Sequence, residues 1–263
     1  MKKKITSEDF KSEVTIEDGE LISFQREGQE YIHQKGSKGW RSSDDEMFPI
    51  IGPTSKNNFT FPTAKGDAIL DQHGLLRELN YLFVSSTKNT ANFIKKYKKN
   101  TLIKNSKFPE KSSEAEVFWP YDFSFQKNFT LEKNVLKIQF IIESEEGMPF
   151  MLGYHPAFLL SDSGKETIIS DASIINLESV LKAGSDAFPV FSSEKIVLKN
   201  VSKNDLEITT KGFDNFMLWT EVKNMLCIEP ITQYPSNNNH KSTGENWRLS
   251  KEKNFFSVAI KIL

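Results

Sequence analysis

Apolar residues recur at every second position along much of the chain. In Val135–Ile142, Leu136, Ile138, Phe140 and Ile142 share one face, with Lys137 and Gln139 on the other. The C-terminal run repeats the pattern: Phe256, Val258, Ile260 and Ile262 alternate with Ser257, Ala259 and Lys261. A period of two belongs to a half-buried strand, and no long stretch carries apolar residues at helical spacing. Turn chemistry sits between the runs. Asp18-Gly19 separates VTIE from ELISF, and Glu132-Lys133-Asn134 separates FTL from VLKIQF. Many short strands joined by tight turns predict an all-β sandwich or barrel. The 21 Phe residues suit such a fold, because aromatic side chains pack well on a pleated, half-buried surface. No shift in composition divides the chain, so residues 1–263 are expected to form a single domain. The Lys- and Asn-rich stretch 95–105 reads as a solvated hairpin or as exposed strands.

Composition narrows the class of function. The chain has 263 residues, with 34 Lys plus Arg against 35 Asp plus Glu, a net charge of −1. So balanced a charge gives no phosphate-attracting field, which argues against nucleic acid as a partner. No segment approaches the roughly 18 apolar residues of a membrane helix. MKKKITSEDF is basic but has no apolar core behind it, so it does not read as a signal peptide. A cytoplasmic monomer or homodimer is the expectation. The single cysteine, Cys227, leaves no internal disulfide and no cysteine cluster for zinc, and reads as a core residue.

Candidate chemistry lies in two histidines and one acid. His73 stands in Asp71-Gln72-His73-Gly74-Leu75-Leu76-Arg77, and His155 in Gly153-Tyr154-His155-Pro156-Ala157-Phe158. Gly before and Pro after His155 end strand pairing there, so the imidazole is placed to face a pocket. Each histidine taken singly also has a purely structural reading. Glu229 follows the apolar Met225–Ile228 and precedes Pro230. An acid at the end of an apolar run has to reach solvent or find a partner. Partly desolvated, it becomes a competent base near neutral pH; the alternative is a strand-end salt bridge. Four tryptophans, Trp40, Trp119, Trp219 and Trp247, could stack on sugar faces or fill the core. The chain has no GxGxxG, P-loop, GxSxG or HExxH element.

Taken together, these segments resemble the aldose 1-epimerase (galactose mutarotase-like) superfamily. HGxxR at His73–Arg77, GxHPxF at Gly153–Phe158 and CIEP at Cys227–Pro230 occur in that family's order. Before them stands an FPxxG-like element at Phe48–Gly52, and FFSVAIKI resembles the closing strand. The resemblance implies a large, twisted, antiparallel β-sandwich with a sugar-binding cleft, and a reaction without cofactor or metal. By motif position, Glu229 would take the proton of the anomeric hydroxyl and His155 would give one to the ring oxygen. His73 would bind near that oxygen, and Arg77 would orient His73 or a substrate oxygen, or serve as a scaffold salt bridge. Ring opening at C1–O5, rotation and reclosure then exchange the anomers. The reaction needs one proton taken and one given, expected from two groups on different edges of the ring.

One departure stands out. Pro53 occupies the position of the family's sugar-binding arginine, and proline has no side-chain donor. Lys56 is the candidate substitute, and Asp214 is the candidate for the sugar-binding aspartate. The expected substrate is therefore an aldose of unassigned identity. Two competing readings are a non-catalytic carbohydrate-binding or sensor protein and a hexose-6-phosphate 1-epimerase, which calls for clustered arginines. A glycoside hydrolase needs two carboxyl groups, and only Glu229 stands out.

Overall fold

The computed structural model describes residues 1–171, 173–235 and 247–263, with the backbone of Lys56 but not its side chain. The expected β architecture is what the chain adopts. A nine-stranded sheet runs, in spatial order, through Ile174–Asn176, Thr167–Ser170, Lys195–Lys199, Leu206–Lys211, Lys253–Ile262, Val135–Ser144, Phe123–Glu132, Thr90–Tyr97 and Leu82–Ser86. Every pairing in it is antiparallel. A six-stranded path runs through Phe188–Phe191, Asn215–Trp219, Met225–Ile231, Gly153–Tyr154 and Glu46–Met47, with Ala157–Leu159 also paired to Met225–Ile231. A four-stranded meander precedes both. The one α-helix among the described residues, Leu177–Ala183, is capped by the Asn176 side chain, which accepts from the Ser179 amide.

The alternation in the sequence sets the sandwich. Leu136, Ile138, Phe140 and Ile142 are fully buried, and Phe256, Val258, Ile260 and Ile262 are buried on the neighbouring strand. Lys133-Asn134 and Asp18-Gly19 form the tight turns, with Lys133, Asp18 and Gly19 at positive φ.

The stretch 95–105 departs from expectation. Its first residues belong to Thr90–Tyr97, an interior strand of the large sheet, and Lys95 is buried. Its ammonium donates to the Leu76 carbonyl at 2.9 Å and lies over the Tyr81 ring. Burial followed from strand parity: Ala91, Phe93, Lys95 and Tyr97 share the inward face.

Candidate active site

Register brings the acid and the imidazole together. Gly153 faces Ile231 and Ala157 faces Cys227 across adjacent antiparallel segments. That alignment puts His155 opposite Glu229, where neighbouring side chains stand side by side. His155 Nε2 is 3.3 Å from Glu229 Oε1. Both residues are almost completely buried. The contact is neither an aligned hydrogen bond nor an ion pair. Glu229 Oε1 and His155 Nδ1 are buried atoms without a hydrogen-bond partner. Burial pushes the Glu229 carboxyl well above the usual carboxylate range, against the pull of Arg77. Burial, aided by the Arg77 charge, pushes His155 down to about 3, while Asp45 opposes the shift. Each group is thus held toward its neutral form.

Local chemistry explains the placement of the rest. The Phe48–Gly52 and His73–Arg77 motifs are zipped together by backbone hydrogen bonds: His73 N–H donates to Ile51 O, Phe48 N–H to His73 O and Leu76 N–H to Phe48 O. A Cβ at Gly74 would lie 2.2 Å from the Phe48 carbonyl oxygen, so only glycine permits this approach. His73 itself has φ 72°, a conformation uncommon outside glycine and enriched for His, Asn and Asp. Its ring meets that of His155 edge-on at 5.9 Å between centroids. Burial and the charges of Arg77, His155 and Lys107 push His73 well down as well. Trp40 stacks on His155 at 4.3 Å, and Trp219 meets it edge-on at 6.0 Å. His33, which the sequence leaves without a role, bonds through Nε2 to the Trp40 carbonyl and so holds that loop.

These side chains border a cleft of about 580 Å³, within the range of small-molecule sites. His73, Arg77, His155 and Glu229 line it together with Trp40 and Trp219. Gln72, Lys111, Asp186, Met217, Glu221 and Tyr234 complete much of the wall. His155, Cys227 and Glu229 bring one potential ligand atom each within 4.8 Å of one another. Burial raises both the Cys227 thiol and the Glu229 carboxyl and so favours their protonated forms, whereas a cation recruits deprotonated ligands.

The matching sequence family is decisive for descent. The model of the aldose 1-epimerase family matches residues 21–230. The chain belongs to the aldose 1-epimerase family. No curated protein sequence matches it. Solved structures similar to it include a galactose mutarotase related enzyme from Lactobacillus acidophilus, at 18% identity and TM-score 0.76 over 100% of this chain and 97% of that one. A galactose mutarotase-like protein from Lactobacillus casei is 15% identical, with TM-score 0.77 over 99% and 100%. A galactose 1-epimerase from Lactobacillus acidophilus NCFM is 12% identical, with TM-score 0.64 over 100% and 98%. At such identities these likenesses establish the galactose mutarotase-like fold.

Set on this family scaffold, the four motif residues His73, Arg77, His155 and Glu229 converge, and one sequence candidate, Asp214, stands apart. The Asp214 side chain is 62% exposed and accepts from Arg248 at 2.7 Å; it does not line the cleft. The reason is parity: Met217 and Glu229 face each other on the cleft side, while Asp214 precedes the strand and turns to the flank. The Lys56 side chain lies outside the described residues. Pro53 does line the cleft, at the position expected for arginine. Of the tryptophans, Trp119 is fully buried core and Trp247 packs on Phe61, leaving Trp40 and Trp219 to the cleft. His155 and Glu229 stand side by side on neighbouring segments.

Proposed function

We propose that the protein exchanges the α and β anomers of an aldose by acid–base ring opening. The observation that carries this reading is the 3.3 Å approach of His155 Nε2 to Glu229 Oε1 on the floor of a sugar-sized cleft. O1 and the ring O5 are both bonded to C1. A base for one and an acid for the other therefore have to be neighbours, and these two are. Between the low value of His155 and the raised value of Glu229 the pair holds a single proton. In the empty cleft that proton resides on the carboxyl. Passed to Nε2, it leaves a carboxylate to accept the O1 proton and an imidazolium to protonate O5. The C1–O5 bond opens, the aldehyde rotates about C1–C2, and reclosure on the other face returns both protons. The enzyme ends as it began, with no group lost or gained.

His73 binds close to O5 from its edge-on position beside His155. Trp40 and Trp219 offer flat apolar surfaces for the C–H faces of the ring. Arg77 faces the same space and is the one arginine lining it among the described residues; it is already paired with Asp45. A hexose phosphate, whose phosphate calls for several unpaired cations, fits this wall poorly. Pro53 in place of an arginine favours a broad aldose preference over tight galactose selection.

The test is anomer exchange followed by NMR on glucose, galactose, arabinose and xylose. Acceleration is expected on at least one of them. Glu229→Gln is expected to lower kcat by on the order of 10²–10⁴-fold, the usual share of one general base, with the fold unchanged. Sugar binding by calorimetry with no exchange on any sugar would instead make this a carbohydrate-binding protein, and would reject the catalytic reading.

A further inference from the structure

The acidic run Asp44-Asp45-Glu46 enters the sheet beside the cleft, and successive side chains go opposite ways. Asp44 and Glu46 turn into the core, where Lys127 Nζ meets Asp44 Oδ2 at 2.7 Å and Glu46 Oε1 at 2.6 Å. Asp45 turns the other way, and its Oδ2 accepts from Arg77 Nη2 at 2.5 Å. Its backbone pairs in both directions with His155: His155 N–H donates to Asp45 O at 2.8 Å, and Asp45 N–H to His155 O at 3.1 Å. One residue therefore grips the acid of the proposed reaction by its main chain and the cleft arginine by its side chain.

Arg77 needs such a grip. Among the described residues Asp45 is the one carboxylate in contact with it, and Arg77 Nε is buried without a partner. The charges and titratable groups around the guanidinium are Asp45, His73, Lys107, His155 and Glu229. Lys107 repels it, the histidines are neutral, and Glu229 is held toward its neutral form. Without Asp45 nothing in contact would hold the guanidinium against the cleft.

We propose that Asp45 is the positioning residue of this site, fixing Arg77 and His155 as one rigid unit through a bidirectional backbone pair and a side-chain ion pair. The inference rests on the acid–base reading of the cleft, and its consequences are specific. Asp45→Asn keeps the backbone pair and the shape but removes the charge. It is expected to lower kcat/KM by on the order of 10- to 100-fold, the usual cost of a misplaced binding group. Asp45→Glu should recover most of the loss. In an Arg77→Gln background, Asp45→Asn should cost less than about 2-fold, because a residue that acts through Arg77 has nothing left to act on. An equal cost in both backgrounds overturns the proposal, as does a Glu variant no better than Asn. A second readout is independent of activity. The Arg77 Nε–H resonance, assigned by its loss in Arg77→Gln, should be sharp in the native protein and in Asp45→Glu, and broadened in Asp45→Asn. A resonance unchanged by Asp45→Asn rejects the positioning role even if the native protein exchanges no anomers. Absence of exchange with the expected NMR pattern removes the catalytic reading and leaves the Asp45–Arg77 unit standing.

Discussion

Two sets of buried titratable groups lie on opposite faces of the segment Asp44–Glu46. On the core side, Lys127 is fully buried between Asp44 and Glu46, and Tyr154 donates its hydroxyl to Asp44 at 2.8 Å. Lys127 is held charged, pushed up in spite of its burial by the carboxyl groups of Asp44 and Glu46 beside it. On the cleft side, His155 and Glu229 are almost as deeply buried, yet no counter-charge contacts them. Equal desolvation thus has two outcomes. Where opposite charges meet at hydrogen-bond distance, the result is a fixed ionic scaffold. Where they are withheld, both groups move toward neutrality. Alongside the scaffold lies a second hollow of about 660 Å³, larger than the cleft and rich in charge. Most of its charges already satisfy one another, as in Lys35–Glu20 and Arg77–Asp45, so it offers little to a ligand.

The contrast can be broken most sharply at Lys127. Lys127→Met removes the cation and leaves Asp44 and Glu46 buried together. Loss of one partner of a buried ion pair costs about 3–5 kcal/mol, so the urea midpoint should fall steeply, with raised pH making matters worse as Asp44 is forced to ionise. Its carboxyl sits at about 7 even with Lys127 present. A midpoint within error of the native value would show that the cluster contributes nothing to the fold. On the cleft side, Gly74→Ala forces a Cβ against the Phe48 carbonyl at φ 69°. A cost of about 1–3 kcal/mol is expected from strain of this kind, together with a rise in KM as His73 shifts; an unchanged KM would detach His73 from sugar binding.

The smallest effect sharpens the contrast through pH. An exposed pair of this type would hold one proton only between the ordinary values of about 4.5 for Glu and 6.5 for His. Here the acid edge of that window moves down: as pH falls, the second proton arrives only near the depressed value of His155, about 3, and not at 4.5. The sole proton is held by Glu229, whose value burial raises. The anomerisation rate at pH 4 should therefore stay within about 2-fold of that at pH 5.5. A loss centred near 4.5 would mean that the pair is solvated.

The sequence carried much of this in two kinds of signal. Alternation revealed the sandwich, because burying one face of each strand leaves a period of two on the chain. The order of His73, His155 and Glu229 revealed the family and the cleft residues, but the Gly and Pro beside His155 do not end pairing there: its main chain pairs with Asp45 in both directions, and Glu229 lies within the strand Met225–Ile231. Asp44-Asp45-Glu46 was illegible for a physical reason. An acidic run looks solvated, and its partner Lys127 lies 83 residues from Asp44. A clue was nevertheless present: Phe125, Lys127 and Phe129 share the inward parity of one strand, as do Phe93, Lys95 and Tyr97 of the next. A lysine in a slot reserved for phenylalanine demands a buried acid somewhere. Asp214 misled because a Gly-Phe-Asp-Asn turn carries no information about which flank of the sheet it will occupy.

The opposed directions of Asp44, Asp45 and Glu46 constrain how this segment can change over generations. Because successive side chains go opposite ways, a point substitution there changes one of the two environments. Gain or loss of a single codon would shift the frame of the strand by one residue and exchange the two environments at a stroke, sending the partner of Arg77 inward and a scaffold acid toward the cleft. Length at this position is therefore expected to be more rigidly kept among close relatives than the identity of any one of the three acids.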